Sequence, residues 1–281
     1  VGATWIEFDM PVDTEPTTRP VRQTLRIGSV SFLNAKPLIY GLEEADGLDL
    51  KLDVPSRLLD GLLDARFDVA LLPVIDYQRM PGLRLLTSGG IGSDGRTLTV
   101  RIFSPIPIEL ITTLACDTDS HTSVALARII LGERYRIRPE FVPLDRSIID
   151  GCTARLLIGD KVVCEEPAGL MHQLDLGEAW KDLTGLPFVF AAWMARGEVA
   201  LGDLPDRLEQ AKRAGLLHVE EIITRYAVPR GWPAAIAWEY LTQRLQYDIG
   251  PAHLEAIRRF HKLAFEYGLI PQMPWDLTVF G

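Results

Sequence analysis

From residue 25 onward, short apolar runs of strand length alternate with stretches of helical periodicity. Residues 25–30, 48–54 and 67–72 read as strands, and a helical stretch near 56–65 lies between the last two. Pro55 followed by Ser56 fits a helix start, because the first helical position has no need of an N–H. Arg66-Phe67-Asp68-Val69-Ala70-Leu71-Leu72-Pro73 fits a buried strand closed by a proline. This alternation predicts βαβ units and a mainly parallel sheet. A further strand pair is expected at 83–87 and 97–104, joined by a Gly-rich turn. A second α/β block opens near Thr113, where 124–131 is apolar on nearly all sides, as in a helix buried within a domain. Its strands are expected at 140–142, 154–157 and 186–193. Beyond residue 203 the chain turns helical. In the last helix Leu254, Ile257, Phe260, Ala264 and Phe265 recur at helical spacing after Gly250-Pro251. The prediction is an α/β protein of two lobes without internal repeats. Lobe one takes 25–108 and 196–281, lobe two takes 109–195, and residues 1–24 form an N-terminal extension. A small-molecule cleft is expected between the lobes.

Composition narrows the function more than the fold. With 281 residues and 47% hydrophobic content the chain can bury a large core. A formal charge of −9 without clustered Lys and Arg argues against nucleic acid as a partner. An anionic ligand therefore needs a locally donor-rich pocket. Cys116, Cys152 and Cys164 have no C-x-x-C spacing and read as reduced, buried, structural thiols. No apolar run reaches the roughly 18 residues of a membrane span. Residues 1–24 lack the basic segment and apolar core of a secretory signal, so a cytoplasmic location is expected, with Trp5, Ile6 and Phe8 able to dock the extension onto the body. There is no G-x-S-x-G, P-loop or H-E-x-x-H, no G-x-G-x-x-G follows the first strand, and the histidines at 121, 172, 218, 253 and 261 lack metal-ligand spacing. Cofactor-free chemistry or plain binding is what remains.

The candidate chemistry sits where elements end. The first strand runs into Ser31, Asn34 and Lys36, at the carboxyl end where open α/β sheets bind ligands. Asn34 would equally serve to cap a turn before Pro37, and a solvated Lys36 is the default. In Gly95-Arg96-Thr97-Leu98-Thr99 the last residue offers a hydroxyl, although a threonine there is also simply a good strand former. Ser120, His121, Thr122 and Ser123 precede the buried helix, and hydroxyls with free N–H groups at a helix start suit a carboxylate or phosphate. Ser120 as an ordinary N-cap would be worth about 1 kcal/mol. Gly159-Asp160 closes a strand with a turn, and Asp160 reads as structural because an anion repels an anionic ligand unless paired. Phe188, in an apolar strand, could stack on a flat ring.

Several of these segments match one family in order along the chain. Ser31-Phe32-Leu33-Asn34-Ala35-Lys36-Pro37-Leu38 resembles the S-[YF]-L-N-x-x-P-L opening of the chorismate dehydratases of the futalosine route to menaquinone. Gly95 to Thr99 resembles that family's G-P-[VT]-[LM]-S segment, with Arg96 in place of Pro and Thr99 in place of Ser. His121-Thr122-Ser123 resembles the end of its S-R-T-S turn, with His121 where the family carries Arg. Leu156-Leu157-Ile158-Gly159-Asp160 matches L-L-I-G-D, and Thr184 to Trp193 matches T-G-L-P-F-V-F-A-x-W. The resemblance implies a two-lobed fold of the type II periplasmic-binding-protein kind, with the ligand cleft between the lobes and C-terminal helices. It implies loss of water from chorismate to give 3-[(1-carboxyvinyl)oxy]benzoate, without a cofactor, by an E1cB elimination in which the substrate's enolpyruvyl carboxylate is the base. On it, Asn34 and Thr99 are the catalytic candidates, and Ser31, Lys36, Arg96, Ser120, His121, Thr122, Ser123, Gly159, Asp160 and Phe188 the substrate-binding ones. The alternatives are a non-catalytic binder of an aromatic or dicarboxylate ligand and the sister enzyme forming 1,4-dihydroxy-6-naphthoate, whose S-P-C-P-N-D opening is absent here. A ligand-sensing regulatory domain would want a DNA-binding segment.

Overall fold

The computed structural model describes residues 24–116, 120–144, 154–164 and 171–281. The docking expected of Trp5, Ile6 and Phe8, and the burial expected of Cys152, lie outside them. Two sheets organise the chain. The first has six strands in the order β11-β4-β10-β3-β1-β2. β1 (Leu25–Ser29) is parallel to β2 (Leu48–Leu52) and β3 (Val69–Pro73), and α1 (Pro55–Leu63) makes the crossover, with Pro55 in its first turn. β10 (Phe188–Arg196) runs antiparallel between β3 and β4 (Leu83–Ser93), and β11 (Val279–Phe280) lies parallel on the far edge of β4. The second sheet has five strands in the order β7-β6-β8-β5-β9. β6 (Thr113–Cys116) is parallel to β7 (Glu140–Pro143) and β8 (Ala154–Ile158), while β5 (Val100–Ser104) is antiparallel to β8 and β9 (His172–Asp175).

Both sheets are thus mixed rather than mainly parallel, since each takes in long strands that arrive from the other. The chain passes to the second sheet between β4 and β5 and returns before β10, earlier than the boundaries at 108 and 195 suggested. The strand pair expected across a Gly-rich turn is not a pair: β4 continues to Ser93 in one sheet, and β5 belongs to the other. Gly89, Gly90 and Gly92 serve close approach instead of turning. A Cβ on Gly90 would stand 2.7 Å from the Ala191 carbonyl oxygen of β10.

α2 (His121–Tyr135) is buried on most sides and packs against α4 (Leu176–Thr184) and α8 (Pro251–Glu266). α8 also packs on β10, and α5 (Leu204–Leu217) covers β4 and the 3₁₀ turn Leu33–Ile39, so the C-terminal helices close back on the first sheet. Trp180 of α4, Phe188 of β10 and Phe260 of α8 meet edge to face at the junction, inside one continuous apolar core. Cys116 is buried as expected, whereas Cys164 is exposed, at the end of α3 (Asp160–Cys164), with its thiol on the Arg230 carbonyl. Among the described residues no helix is long and apolar enough to cross a membrane.

Candidate functional site

A cleft of about 710 Å³, its open mouth included, lies where β1, β3, β10 and the start of β5 face the first turn of α2. Val30, Leu71, Ile91, Ile158, Phe190 and Leu245 give it apolar walls. Its polar groups are Asn34, Thr97, Thr99, Ser120, Thr122, Ser123 and Tyr240. No charged side chain is among the described residues that line it.

Asn34 is delivered by the tight turn after β1, and its Oδ1 is buried with no hydrogen-bond partner among the described residues. A buried amide oxygen left unpaired costs free energy that a ligand donor would recover. Thr99 is delivered by the crossing segment between β4 and β5. Leu98 beside it has φ +72°, a left-handed conformation that L residues avoid. Asp175, the buried N-cap of α4, holds that conformation. Its carboxylate accepts the N–H of Thr97 at 3.0 Å and of Leu98 at 2.9 Å, besides capping Gly177 and Glu178 at 3.1 and 3.2 Å. One side chain thereby starts a helix and fixes a strained loop that presents a hydroxyl.

Thr99 Oγ1 donates to the Tyr240 hydroxyl at 2.8 Å, and both residues are buried. Tyr240 opens a π-helical turn, Tyr240–Arg244, a widened geometry that recurs at functional sites. Its ring stacks on Trp232 at 5.3 Å. Burial pushes its hydroxyl up to about 12, against the pull of hydrogen bonds from Thr99 and Asn34. Behind it the buried Tyr247 hydroxyl, also pushed up by burial, has no partner.

Opposite stands the start of α2. Ser120 occupies the N-cap without bonding the helix through its side chain, so the capping expected of it is not made. Thr122 Oγ1 accepts the Ile75 N–H at 3.4 Å, and Val124 N–H is the first to reach back, to the Ser120 carbonyl. The preceding N–H groups, the two serine hydroxyls and the positive end of a 15-residue helix make an anion-favouring surface.

Asn34, Thr99, Ser120, Thr122, Ser123 and Gly159 come together around this cleft. Six other candidates do not line it. Ser31 is exposed, and its carbonyl accepts Arg230 Nη1 at 3.1 Å. Lys36 is buried in a separate hollow beside Tyr40 and Arg225, its Nζ 4.4 Å above the Tyr226 ring. At three residues per 3₁₀ turn, positions 34 and 36 point to different sides. Burial, then the nearby Arg230, lowers the Lys36 pKa. Arg96 is exposed. His121 turns away to the next hollow, its Nδ1 3.1 Å from both Asp76 carboxylate oxygens. Asp160 accepts Trp232 Nε1 at 2.9 Å and lies 3.6 Å from Arg230 Nη1, so it is paired in the structural role that its charge favours. Phe188 is 1% exposed within the aromatic junction, and Phe190, two residues along the same strand, lines the cleft instead.

Sequence reasoning missed Tyr240, Asp175, Thr97 and Phe190. Asp175 carried a signal, an Asp three residues before Glu178 at the head of an amphipathic run. Tyr240 carried none, being one aromatic in a helical stretch.

The family model described as menaquinone biosynthesis matches residues 25–266. A chorismate dehydratase of Thermus thermophilus is 29% identical over 238 residues, covering 76% of this chain and 86% of that protein. One from Campylobacter jejuni is 25% identical over 242 residues, covering 84% and 95%. Among solved structures, a protein of Archaeoglobus fulgidus superposes with TM-score 0.70 at 16% identity, over 90% of this chain and all 100% of that one. The periplasmic aliphatic sulphonate binding protein of Escherichia coli does so with TM-score 0.64 at 15% identity, over 92% and 93%. The fold is accordingly periplasmic-binding-protein-like.

Proposed function

The chain belongs to the menaquinone-biosynthesis family, and on that premise we propose that it is a chorismate dehydratase forming 3-[(1-carboxyvinyl)oxy]benzoate and water. The observation that carries the reading is the uncharged lining of the cleft: among the described residues that line it there is no carboxylate, imidazole or amine to act as a base. The relatives named chorismate dehydratase point to a substrate with two carboxylates of its own. The proton on the ether-bearing ring carbon passes to the enolpyruvyl carboxylate of the same molecule. The resulting anion is delocalised through the diene into the ring carboxylate, and the hydroxyl leaves as the ring becomes aromatic.

The protein supplies positioning and charge stabilisation, each a source of rate that needs no base of its own. Ser120, Thr122, Ser123 and the N–H groups of α2 suit one carboxylate, while Asn34 and Thr99 suit the reacting side of the ring. Apolar walls from Val30, Leu71 and Phe190 keep the dielectric low, which strengthens each of those contacts. On this reading the product enters the futalosine route.

The test is incubation of metal-free protein with chorismate and mass analysis for a product lighter by one water with benzoate absorbance. Asn34→Ala is expected to lower kcat about 100-fold or more, the usual effect of removing one preorganised polar contact. Near-normal turnover by that variant would remove Asn34 from the scheme, and tight binding with unchanged chorismate would make the protein a binder.

A further inference from the structure

On the wall opposite the start of α2, two polar atoms remain unspent once the internal hydrogen bonds are assigned. Asn34 Oδ1 is buried and unpartnered. The Tyr240 oxygen accepts Thr99 Oγ1 at 2.8 Å, and the Asn34 side chain lies close enough to pull its pKa down against burial. With that donor on the oxygen, the phenolic O–H turns away from Thr99, and among the described residues no acceptor receives it. Asn34 thus offers an acceptor and Tyr240 a donor, and both residues line the cleft. A hydroxyl matches the pair, because it donates and accepts through one atom. A carboxylate oxygen would face Asn34 Oδ1 with no proton between them, and an ammonium would leave the Tyr240 proton without an acceptor.

Resting on the dehydratase reading, we propose that Asn34 Oδ1 and Tyr240 Oη bind the departing hydroxyl of chorismate, and that Tyr240 is the catalytic acid that gives it the proton with which it leaves. The ring C–O bond breaks with its electron pair going to oxygen. The Tyr240 O–H bond breaks as its proton joins that oxygen, and water forms. The phenolate keeps the hydrogen bond from Thr99 and regains a proton from the enolpyruvyl carboxylic acid formed in the first step. The sum is substrate minus one water, with Tyr240 unchanged. Thr99 then acts through Tyr240 as a positioning residue. The hydroxyl, held at about 12, stays protonated throughout the neutral range, as an acid must.

Tyr240→Phe keeps the ring and its stack on Trp232 and removes only the oxygen. With chorismate, kcat is expected to fall about 10²- to 10⁴-fold while KM moves little, the range for loss of a general acid. The second substrate is the analogue with fluorine in place of the departing hydroxyl, since fluoride leaves without a proton. On it the variant and the parent protein are expected to react at similar rates. An equal loss on both substrates, or normal turnover of chorismate by the variant, would overturn the proposal. Parent protein that leaves chorismate unchanged would overturn the dehydratase reading and the proposal together, so the two failures are told apart. The parent protein also supplies a readout that needs no variant: a solvent deuterium isotope effect on kcat with chorismate that is absent with the fluoro analogue. Equal isotope effects on the two substrates would count against Tyr240 as the acid.

Discussion

A single buried imidazole sets part of the pH dependence of stability. His261 on α8 is 1% exposed, its Nε2 bonded to the Val74 carbonyl at 2.8 Å and its Nδ1 3.0 Å from the Gln78 amide nitrogen. An amide nitrogen can only donate, so the ring is held neutral with its proton on Nε2. Burial lowers the pKa from 6.5 to about 4, the Val74 bond opposing it. Above pH 6.5 the ring is neutral folded or unfolded, and stability is indifferent to it. Between 6.5 and about 4 only the unfolded chain takes the proton, so stability falls as pH falls. This group should cost about 2 kcal/mol between pH 7 and pH 5. Urea unfolding at the two values is expected to show His261→Gln with a shallower loss than the parent protein. Equal losses would mean that the imidazole is not the group responsible.

At the scale of elements, the start of α4 and the crossing segment before β5 act as one part. Gly177 in the first turn of α4 packs beneath that segment, where an added Cβ would stand 2.2 Å from Thr97 Cγ2 and 2.5 Å from the Gly95 carbonyl oxygen. Gly177→Ala must push 95–97 away and move Thr99 with it. Displacing a positioned group by about 1 Å can cost 10²-fold, so turnover is expected to drop at least tenfold while the variant still unfolds cooperatively. Unaltered kcat would show that Thr99 holds its place without this contact. The same region marks what the sequence made legible. β1, α1 and β3 announced themselves because apolar runs and prolines punctuate them, and Asn34, Thr99 and the Ser120–Ser123 turn stood out as polar groups at element ends. β9 did not, since four residues with the single buried apolar side chain of Leu174 carry no period. Lys36 misled because a 3₁₀ turn separates it from Asn34, and Tyr240 was hidden because its partner Thr99 is 141 residues away, a relation no local pattern encodes.

For the whole molecule, the cleft depends on how the two sheets are held across it. Among the described residues the chain crosses between the sheets at 94–99 and within 176–187, so side-chain seams must do much of the work. One seam joins Asp160, after β8, to Trp232 and Arg230 of the C-terminal segment, and Arg230 also reaches the Ser31 carbonyl. Another joins α2 to the turn after β3. There His121 meets the fully buried Asp76, which also pairs with Arg79 at 3.0 Å, and Ile75 N–H meets Thr122. His121 does not line the cleft, yet its bond fixes the helix start that offers Ser120, Thr122 and Ser123. Losing a hydrogen bond to a buried charge costs about 1.5–3 kcal/mol, part of which Arg79 recovers, so His121→Ala should raise KM about tenfold. The effect on kcat should be smaller, because the Asn34, Thr99 and Tyr240 group stays on its own elements. X-ray scattering without substrate is expected to give a larger radius of gyration for the variant, returning toward the parent value at saturating chorismate. An unchanged KM would mean that the Ile75–Thr122 contact and the Asp160 seam suffice to keep the lobes in register.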